Sequence, residues 1–287
     1  MGETSLDELR SFYDEEGQRD HQAFLYKADD WVHNRLKNTV IGYSKQLCKQ
    51  SHMILDAGCA EGLYLRDLSS FVTQTYGIDI STSKIRRGLE YAQGFHNVNL
   101  LVSVLIAMPF PSASFDLVLS IETLEHVPAP DKALREIYRV IRPGGWLICS
   151  VPTEHDEYLG SWKRERTWRE KSGHLHSFSQ QGFKKLLEGE GFSVREQIAV
   201  DVLGPKVRLH ITSSSLWVWS KRVYSWLREG KSSTKSQTPS GQCDGETELP
   251  LPHISLGWWR RLDELLSNIP LINKRASYCI YITVRVP

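Results

Sequence analysis

The amino-acid sequence predicts an α/β fold built on a mostly parallel sheet, and three observations predict it. From residue 51 onward, short apolar runs alternate with helical patterns. The first two runs each stop at an acid, Asp56 and Asp79. A turn of small residues, Gly58-Cys59-Ala60-Glu61-Gly62, joins the first run to the next helical pattern. Strands that alternate with helices make βαβ units with right-handed crossovers.

The elements follow in order. Residues 1–50 are expected to form a helical cap, because Trp31, Leu36, Val40 and Tyr43 recur near helical spacing. Strands are expected at Met53–Leu55, Tyr76–Ile78, Val98–Val102, Phe115–Ile121 and Trp146–Val151. Helices are expected between them at Leu63–Phe71, Ser83–Tyr91 and Ala133–Val140. Arg142-Pro143-Gly144-Gly145 reads as the stop of a helix and a turn into the fifth strand, since proline ends helices and glycine permits the turn. A further helix at Gln180–Gly189 and a strand at Phe192–Val200 complete the run. The β-prone segment Tyr278–Val284 supplies a last strand. The core is therefore assigned to 51–203 plus 276–287, with an insertion at 204–275.

Within the insertion, 230–250 is polar and Ser/Thr/Gly-rich and reads as a linker. It separates two amphipathic helical segments, 216–228 and 256–269. Three uses stay open for them: covering the sheet or the acceptor site, dimerisation, or peripheral membrane contact through Trp217, Trp219, Trp226, Trp258 and Trp259.

Bulk properties exclude several classes. The 35 basic and 34 acidic side chains leave a net charge of +1, so there is no strong nucleic-acid signal. No apolar run approaches the ~18 residues of a spanning helix. The acidic, polar start lacks a secretory pattern, and its likeness to a myristoylation signal reads as chance. The five cysteines show no metal-type spacing. They read as reduced thiols of a cytoplasmic protein, membrane-associated if the tryptophan segments touch lipid.

The chemistry concentrates at the turn. Gly58 and Gly62 let backbone approach a ligand, and a helix N-terminus behind them offers free N–H groups. A dinucleotide turn needs G-x-G-x-x-G; here G-x-A-x-G is one residue shorter and has an acid two residues ahead. Asp56 can accept from an amine. Asp79, 17 residues after Gly62, can take both hydroxyls of a ribose. Amine, carboxylate and ribose together describe S-adenosylmethionine.

LDAGCAEG (Leu55–Gly62), YGIDIS (Tyr76–Ser81), MPFPSASFDLVLS (Met108–Ser120) and LREIYRVIRPGGWLICSVPT (Leu134–Thr153) resemble the class I S-adenosylmethionine-dependent methyltransferases. The resemblance covers about 50–200 and the final strand. It implies a Rossmann-like seven-stranded sheet of order 3-2-1-4-5-7-6 with strand seven antiparallel. It implies cofactor contacts at Asp56, Gly58, Cys59, Ala60, Gly62, Asp79, Ile80, Val104, Leu105 and Ser120, with Ile80 packing on adenine. Where many relatives carry an adenine-binding acid this chain has Val104, so adenine is held either by backbone at Val104 and Leu105 or through Ser103. Ala60 replaces the usual second glycine.

The run Glu122-Thr123-Leu124-Glu125-His126, followed later by His174, resembles the metal-binding set of two methyltransferase groups. These are the ubiquinone-pathway O-methyltransferases and the small-RNA 3′-terminal methyltransferases. The resemblance implies Glu122, Glu125, His126 and His174 around Mg²⁺, Mn²⁺ or Zn²⁺. The other reading is metal-free, with His126 or His174 as general base. Expected function is methylation of a small-molecule hydroxyl: a sugar, an aromatic or polyketide-like compound, or a lipid-linked version. The alternatives are an RNA 3′-terminal methyltransferase and a non-catalytic protein that kept the fold. The loop 155–169 is expected to face the acceptor.

Overall fold

The computed structural model describes residues 5–19, 31–153, 173–200 and 278–286. The N-terminal region holds helices α1 (Leu6–Arg19) and α2 (Trp31–Leu47). The alternating core then runs β1 (Met53–Ala57), α3 (Leu63–Leu68), β2 (Gln74–Asp79), α4 (Thr82–Tyr91), β3 (Val98–Val102) and β4 (Phe115–Ile121). It continues through a 3-10 turn (Leu124–His126), α5 (Pro130–Val140), β5 (Ile141–Pro152), α6 (Gln180–Gly189), β6 (Phe192–Val200) and β7 (Tyr278–Arg285).

The sheet order is β3-β2-β1-β4-β5-β7-β6. Pairs from β3 to β5 are parallel, and β7 lies antiparallel between β5 and β6, as the sequence predicts. Both faces are covered, and the strand sequences show why. Successive residues point to opposite faces, and both sets are apolar. Leu55, Val118, Leu147, Cys149 and Tyr281 face one cluster, packed by Ala133, Leu134 and Ile137 of α5 and Phe183 of α6. Ile54, Leu117, Leu119, Ile148, Ile280 and Ile282 face the other, packed by Leu36 and Val40 of α2 and Leu65 and Leu68 of α3. Each fully buried Leu or Ile contributes about 1.5–3 kcal/mol relative to exposure. Tyr281 keeps its buried hydroxyl satisfied by donating to the Gln180 carbonyl at 2.8 Å.

Several boundaries shift by one to three residues, and two of the differences from expectation are informative. The helix after the first turn stops at Leu68 rather than Phe71. The Pro-Gly-Gly segment is part of β5 rather than a turn before it. Ile141 already pairs with Phe115, the next pair is Leu117 with Trp146, and 142–145 bulge out between them. Arg142 gains a partner there, since its guanidinium pairs with Asp116, whose Oδ2 also accepts from the Met53 amide at 2.9 Å. The insertion 204–275, with its two amphipathic segments and linker, and the loop 155–169 lie outside the described residues. Among the described residues, no helix is long and apolar enough to cross a membrane.

Candidate functional site

A cavity of about 500 Å³ opens along the C-terminal ends of β1, β2 and β4, within the range of small-molecule sites. Its first wall is the turn after β1. The Gly58 and Cys59 amides both donate to the Ile78 carbonyl, at 2.8 and 3.0 Å, folding the turn back onto β2. Gly58, Ala60 and Gly62 all have positive φ, at 89°, 47° and 72°. At Gly58 glycine is required twice over, because a Cβ would also sit 2.2 Å from Thr123 Cγ2 of the loop after β4.

Asp79 ends β2 and is held by backbone. Its Oδ2 accepts from the Ala60 amide and its Oδ1 from the Ser81 amide, each at 2.9 Å. Burial raises its pKa; Lys84 and the two amides oppose the shift. Asp56 is buried, and its Oδ2 has no hydrogen-bond partner among the described residues. Burial, reinforced by Asp79, pushes its carboxyl up to about 8. A buried carboxylate oxygen without a donor, in a wall made of backbone that approaches closely, fits an amine-bearing ligand. Ile80, Val104 and Leu105 line the cavity beside Asp79. Ser103 is not among the lining residues, and its amide donates to the Asp79 carbonyl.

Three expected cofactor residues do not reach the cavity wall. Cys59 is buried, its sulfur lies against the Gly77 backbone, and burial raises its thiol pKa. Gly62 caps α3 and faces Leu100. Ser120 is buried inside β4, its hydroxyl without a partner among the described residues.

The second wall is the loop after β4. Glu122 has φ 51°, uncommon for a residue with a Cβ. Its amide donates to the Ser150 carbonyl at 3.1 Å, and its carboxylate accepts from Ser150 Oγ at 2.6 Å. The Glu125 carbonyl accepts from the amides of Leu175 and His176, at 2.8 and 3.0 Å, which draws 173–176 to the tip of β4. His174 thereby meets His126 with ring centroids 4.8 Å apart. His126 Nδ1 donates to the Gly173 carbonyl at 3.1 Å, so Nε2 carries the lone pair. Glu125 Oε1 lies 3.6 Å from that nitrogen. Burial, with His174 adjacent, lowers the His126 pKa to about 3, leaving a neutral imidazole at physiological pH. One ligand atom each from Glu125, His126 and His174 lie within 4.8 Å of one another. Glu122, expected with them, is outside that group and turns to Ser150.

Sequence reasoning missed the contribution of α1. Tyr13 places its ring edge against His126, centroids 5.6 Å apart, and donates to the same Gly173 carbonyl at 3.3 Å. Burial raises its phenol pKa, so it stays protonated. The helix is latched onto α4. Asp14 Oδ1 accepts from the Ser83 amide and from Ser81 Oγ, and Glu16 pairs with Lys84 at 2.6 Å. Arg87 bonds both Glu61 and the Gly17 carbonyl. A Cβ at Gly17 would fall 2.4 Å from Ser83 Oγ, so the glycine was a legible hint of close approach. The Ser5/Glu8 capping box, with amide bonds at 2.8 and 3.2 Å, marked where α1 starts. His33, Leu36 and Tyr278, also missed, complete the cavity beyond β4.

A family model described as a methyltransferase domain matches residues 20–197. The chain is 29% identical over 185 residues to 2-methyl-6-phytyl-1,4-hydroquinone methyltransferase of Synechocystis sp., covering 62% of this chain and 57% of that protein. It is 32% identical over 101 residues to a ubiquinone biosynthesis O-methyltransferase of Albidiferax ferrireducens, covering 34% and 40%. Haemonchus contortus phosphoethanolamine N-methyltransferase 2, solved with S-adenosyl-L-methionine, superposes with a TM-score of 0.60 at 18% identity, over 97% of this chain and 60% of that one. That likeness is one of fold. The matches span between 38% and 57% of the length of the first curated relatives.

Proposed function

Because this chain belongs to the methyltransferase-domain family, we propose that it moves a methyl group from S-adenosylmethionine to the hydroxyl of a small molecule. The observation that carries the reading is Asp79, its two oxygens held by the Ala60 and Ser81 amides, facing a cavity shared with Asp56 and His126. When bound, S-adenosylmethionine supplies an electrophilic methyl on a positively charged sulfur. Asp79 accepts from the ribose hydroxyls with the lone pairs that the amides leave, and Asp56 Oδ2 accepts from the amine. Ile80, Val104 and Leu105 pack around the adenine. His126 takes the acceptor's proton on Nε2, while the Gly173 carbonyl holds Nδ1–H and keeps the ring oriented. Burial disfavours the imidazolium that results, and Glu125, 3.6 Å from Nε2, would offset part of that cost.

The close approach of Glu125, His126 and His174 favours a second reading in which the three hold a divalent cation. A cation there would lower the pKa of the acceptor hydroxyl and orient it.

Calorimetric titration with S-adenosylhomocysteine tests the first claim. The protein should bind it, and Asp79→Ala should weaken binding by about 1.5–3 kcal/mol, the worth of a hydrogen bond to a charged group. No heat with the parent protein removes the methyltransferase reading; equal affinity in the variant removes the ribose role of Asp79.

A further inference from the structure

Two carboxylates stand at neighbouring strand ends in the cofactor wall, and the turn after β1 treats them differently. Asp79 ends β2, and each of its oxygens accepts from a backbone amide, Oδ2 from Ala60 and Oδ1 from Ser81. Asp56 lies one residue before the end of β1 and is 1% exposed. Amides of the turn that follows it are directed elsewhere. Those of Gly58 and Cys59 donate to the Ile78 carbonyl, that of Ala60 to Asp79, and that of Gly62 to the Cys59 carbonyl. Asp56 Oδ2 has no hydrogen-bond partner among the described residues, yet the residue lines the cavity.

A buried carboxylate oxygen without a donor is costly, and the cost falls away when the group takes up a proton. The charged groups of the surrounding elements have partners of their own. Lys84 of α4 pairs with Glu16 of α1 at 2.6 Å and favours ionised Asp79. Glu61, in the turn before α3, pairs with Arg87 at 2.6 Å. After β4, Glu122 accepts from Ser150 Oγ at 2.6 Å, and Glu125 lies 3.6 Å from His126 Nε2. Cys59, behind the turn, is buried and keeps its proton. The charge that acts on Asp56 is Asp79, which opposes a second negative charge beside it. Of the two carboxyls, Asp79 therefore keeps the charge that its amides and Lys84 favour, and Asp56 holds a proton in the free protein.

From this contrast we infer that Asp56 is a proton-coupled receptor for the cofactor amine, neutral in the free protein and releasing its proton to solvent when the ammonium group reaches Oδ2. The inference rests on the methyl-transfer reading and adds a regulation of its cofactor site by pH. Before binding, the ligand amine is an ammonium and Asp56 a carboxyl. Afterwards the ammonium donates to a carboxylate, and the Asp56 O–H is the one bond broken. Burial and Asp79 raise the Asp56 carboxyl to about 8, so the coupling operates across the neutral range. The free protein then holds more protons than the complex. Raising the pH toward 8 therefore favours the complex, and acid favours release of the cofactor.

The test is calorimetric titration of the full chain at pH 6.5 in phosphate and in Bis-Tris, buffers that differ widely in their heat of protonation. With S-adenosylhomocysteine, the two heats should differ by the uptake of about one proton into the buffer, and affinity should rise about tenfold from pH 6 to pH 7. 5′-Methylthioadenosine keeps the nucleoside and the sulfur but has no amine. It should bind with the same heat in both buffers. Asp56→Asn has no proton to release, so its heat with S-adenosylhomocysteine should also be the same in both; its uptake of methylthioadenosine reports that it folds. If the variant binds S-adenosylhomocysteine too weakly to measure, the two ligands with the parent protein decide. A parent heat that ignores the buffer, equal proton release with methylthioadenosine, or a variant that releases the proton as the parent does, each overturns the inference and leaves the methyl-transfer reading standing. A chain that takes up no S-adenosylhomocysteine removes that reading, and this one with it.

Discussion

The two ends of the cavity are held by different means. At the cofactor end, Asp79 is oriented by the amides of Ala60 and Ser81, and the turn from Asp56 to Gly62 is pinned to β2 by two bonds to one carbonyl. All of these groups fall within residues 56–81. At the end proposed for the acceptor, His126 is oriented by a carbonyl 47 residues later and braced by a tyrosine from α1. Glu122 is held by Ser150, 28 residues away on β5. The first end is set by the backbone of one βαβ unit. The second depends on separate segments docking correctly, and docked segments open more easily than a central sheet. On the proposed reading, substitutions at the His126 end should alter acceptor chemistry more than cofactor binding.

The strongest way to break that separation is His126→Ala. Loss of a positioned base should lower turnover by about 10²–10⁴-fold, measured as release of S-adenosylhomocysteine. Cofactor affinity should change far less than turnover, because the ring of His126 is hydrogen-bonded to the Gly173 carbonyl, whereas Asp79 is held by the Ala60 and Ser81 amides. A parallel fall in affinity shows that the two ends are one unit. Parent turnover that survives a chelator keeps His126 as a direct base. Turnover lost to the chelator and restored by added cation moves Glu125, His126 and His174 to the metal reading.

Asp56 sharpens the comparison from the cofactor side, and its effect depends on pH. Its pKa is about 8 in the folded chain against 3.8 for an ordinary carboxyl. The folded state thus favours the protonated form. Its contribution to stability is complete below pH 3.8 and is lost as pH rises through about 8. Asp56→Asn never ionises. Without cofactor, its melting temperature relative to the parent should climb from pH 5 to pH 8.5. Its affinity for S-adenosylhomocysteine should fall, because the amine loses a charged acceptor. A melting-temperature difference that shrinks with rising pH means the carboxylate has a donor in the folded chain.

This division also accounts for what was legible in the sequence. Strands buried on both faces announce themselves as short apolar runs, and a turn that needs three left-handed residues writes Gly, Ala and Gly at fixed spacing. Asp56 and Asp79 were readable because a strand end is a local event. Which of the named residues line the cavity was not readable. Cys59, Gly62 and Ser120 support the wall from behind, and a spacing rule does not separate the front of a turn from its back. Tyr13 was not read because its position depends on Asp14 and Glu16 meeting α4, a match between surfaces far apart in sequence at which only Gly17 hinted. The motif named His174, whose ring lies beside that of His126. It also recruited Glu122, which its left-handed backbone turns toward Ser150.

The smallest effect expected is at Ala60, and it probes how tightly the local end is built. Ala60 has φ 47° while its amide donates to Asp79. A left-handed conformation costs a residue with a Cβ about 1–2 kcal/mol, and glycine nothing. Glycine in turn loses about 0.5–1 kcal/mol more backbone freedom on folding. The difference leaves Ala60→Gly more stable by roughly 0.5 kcal/mol, a rise in melting temperature of about 1–2 °C for a domain of this size. The amide is unchanged, so the Asp79 contact and S-adenosylhomocysteine affinity should hold. A variant that melts several degrees lower shows that the methyl is packed rather than strained. A variant that binds the ligand many-fold more weakly shows that the turn relies on the stiffness of alanine to hold its amide toward Asp79.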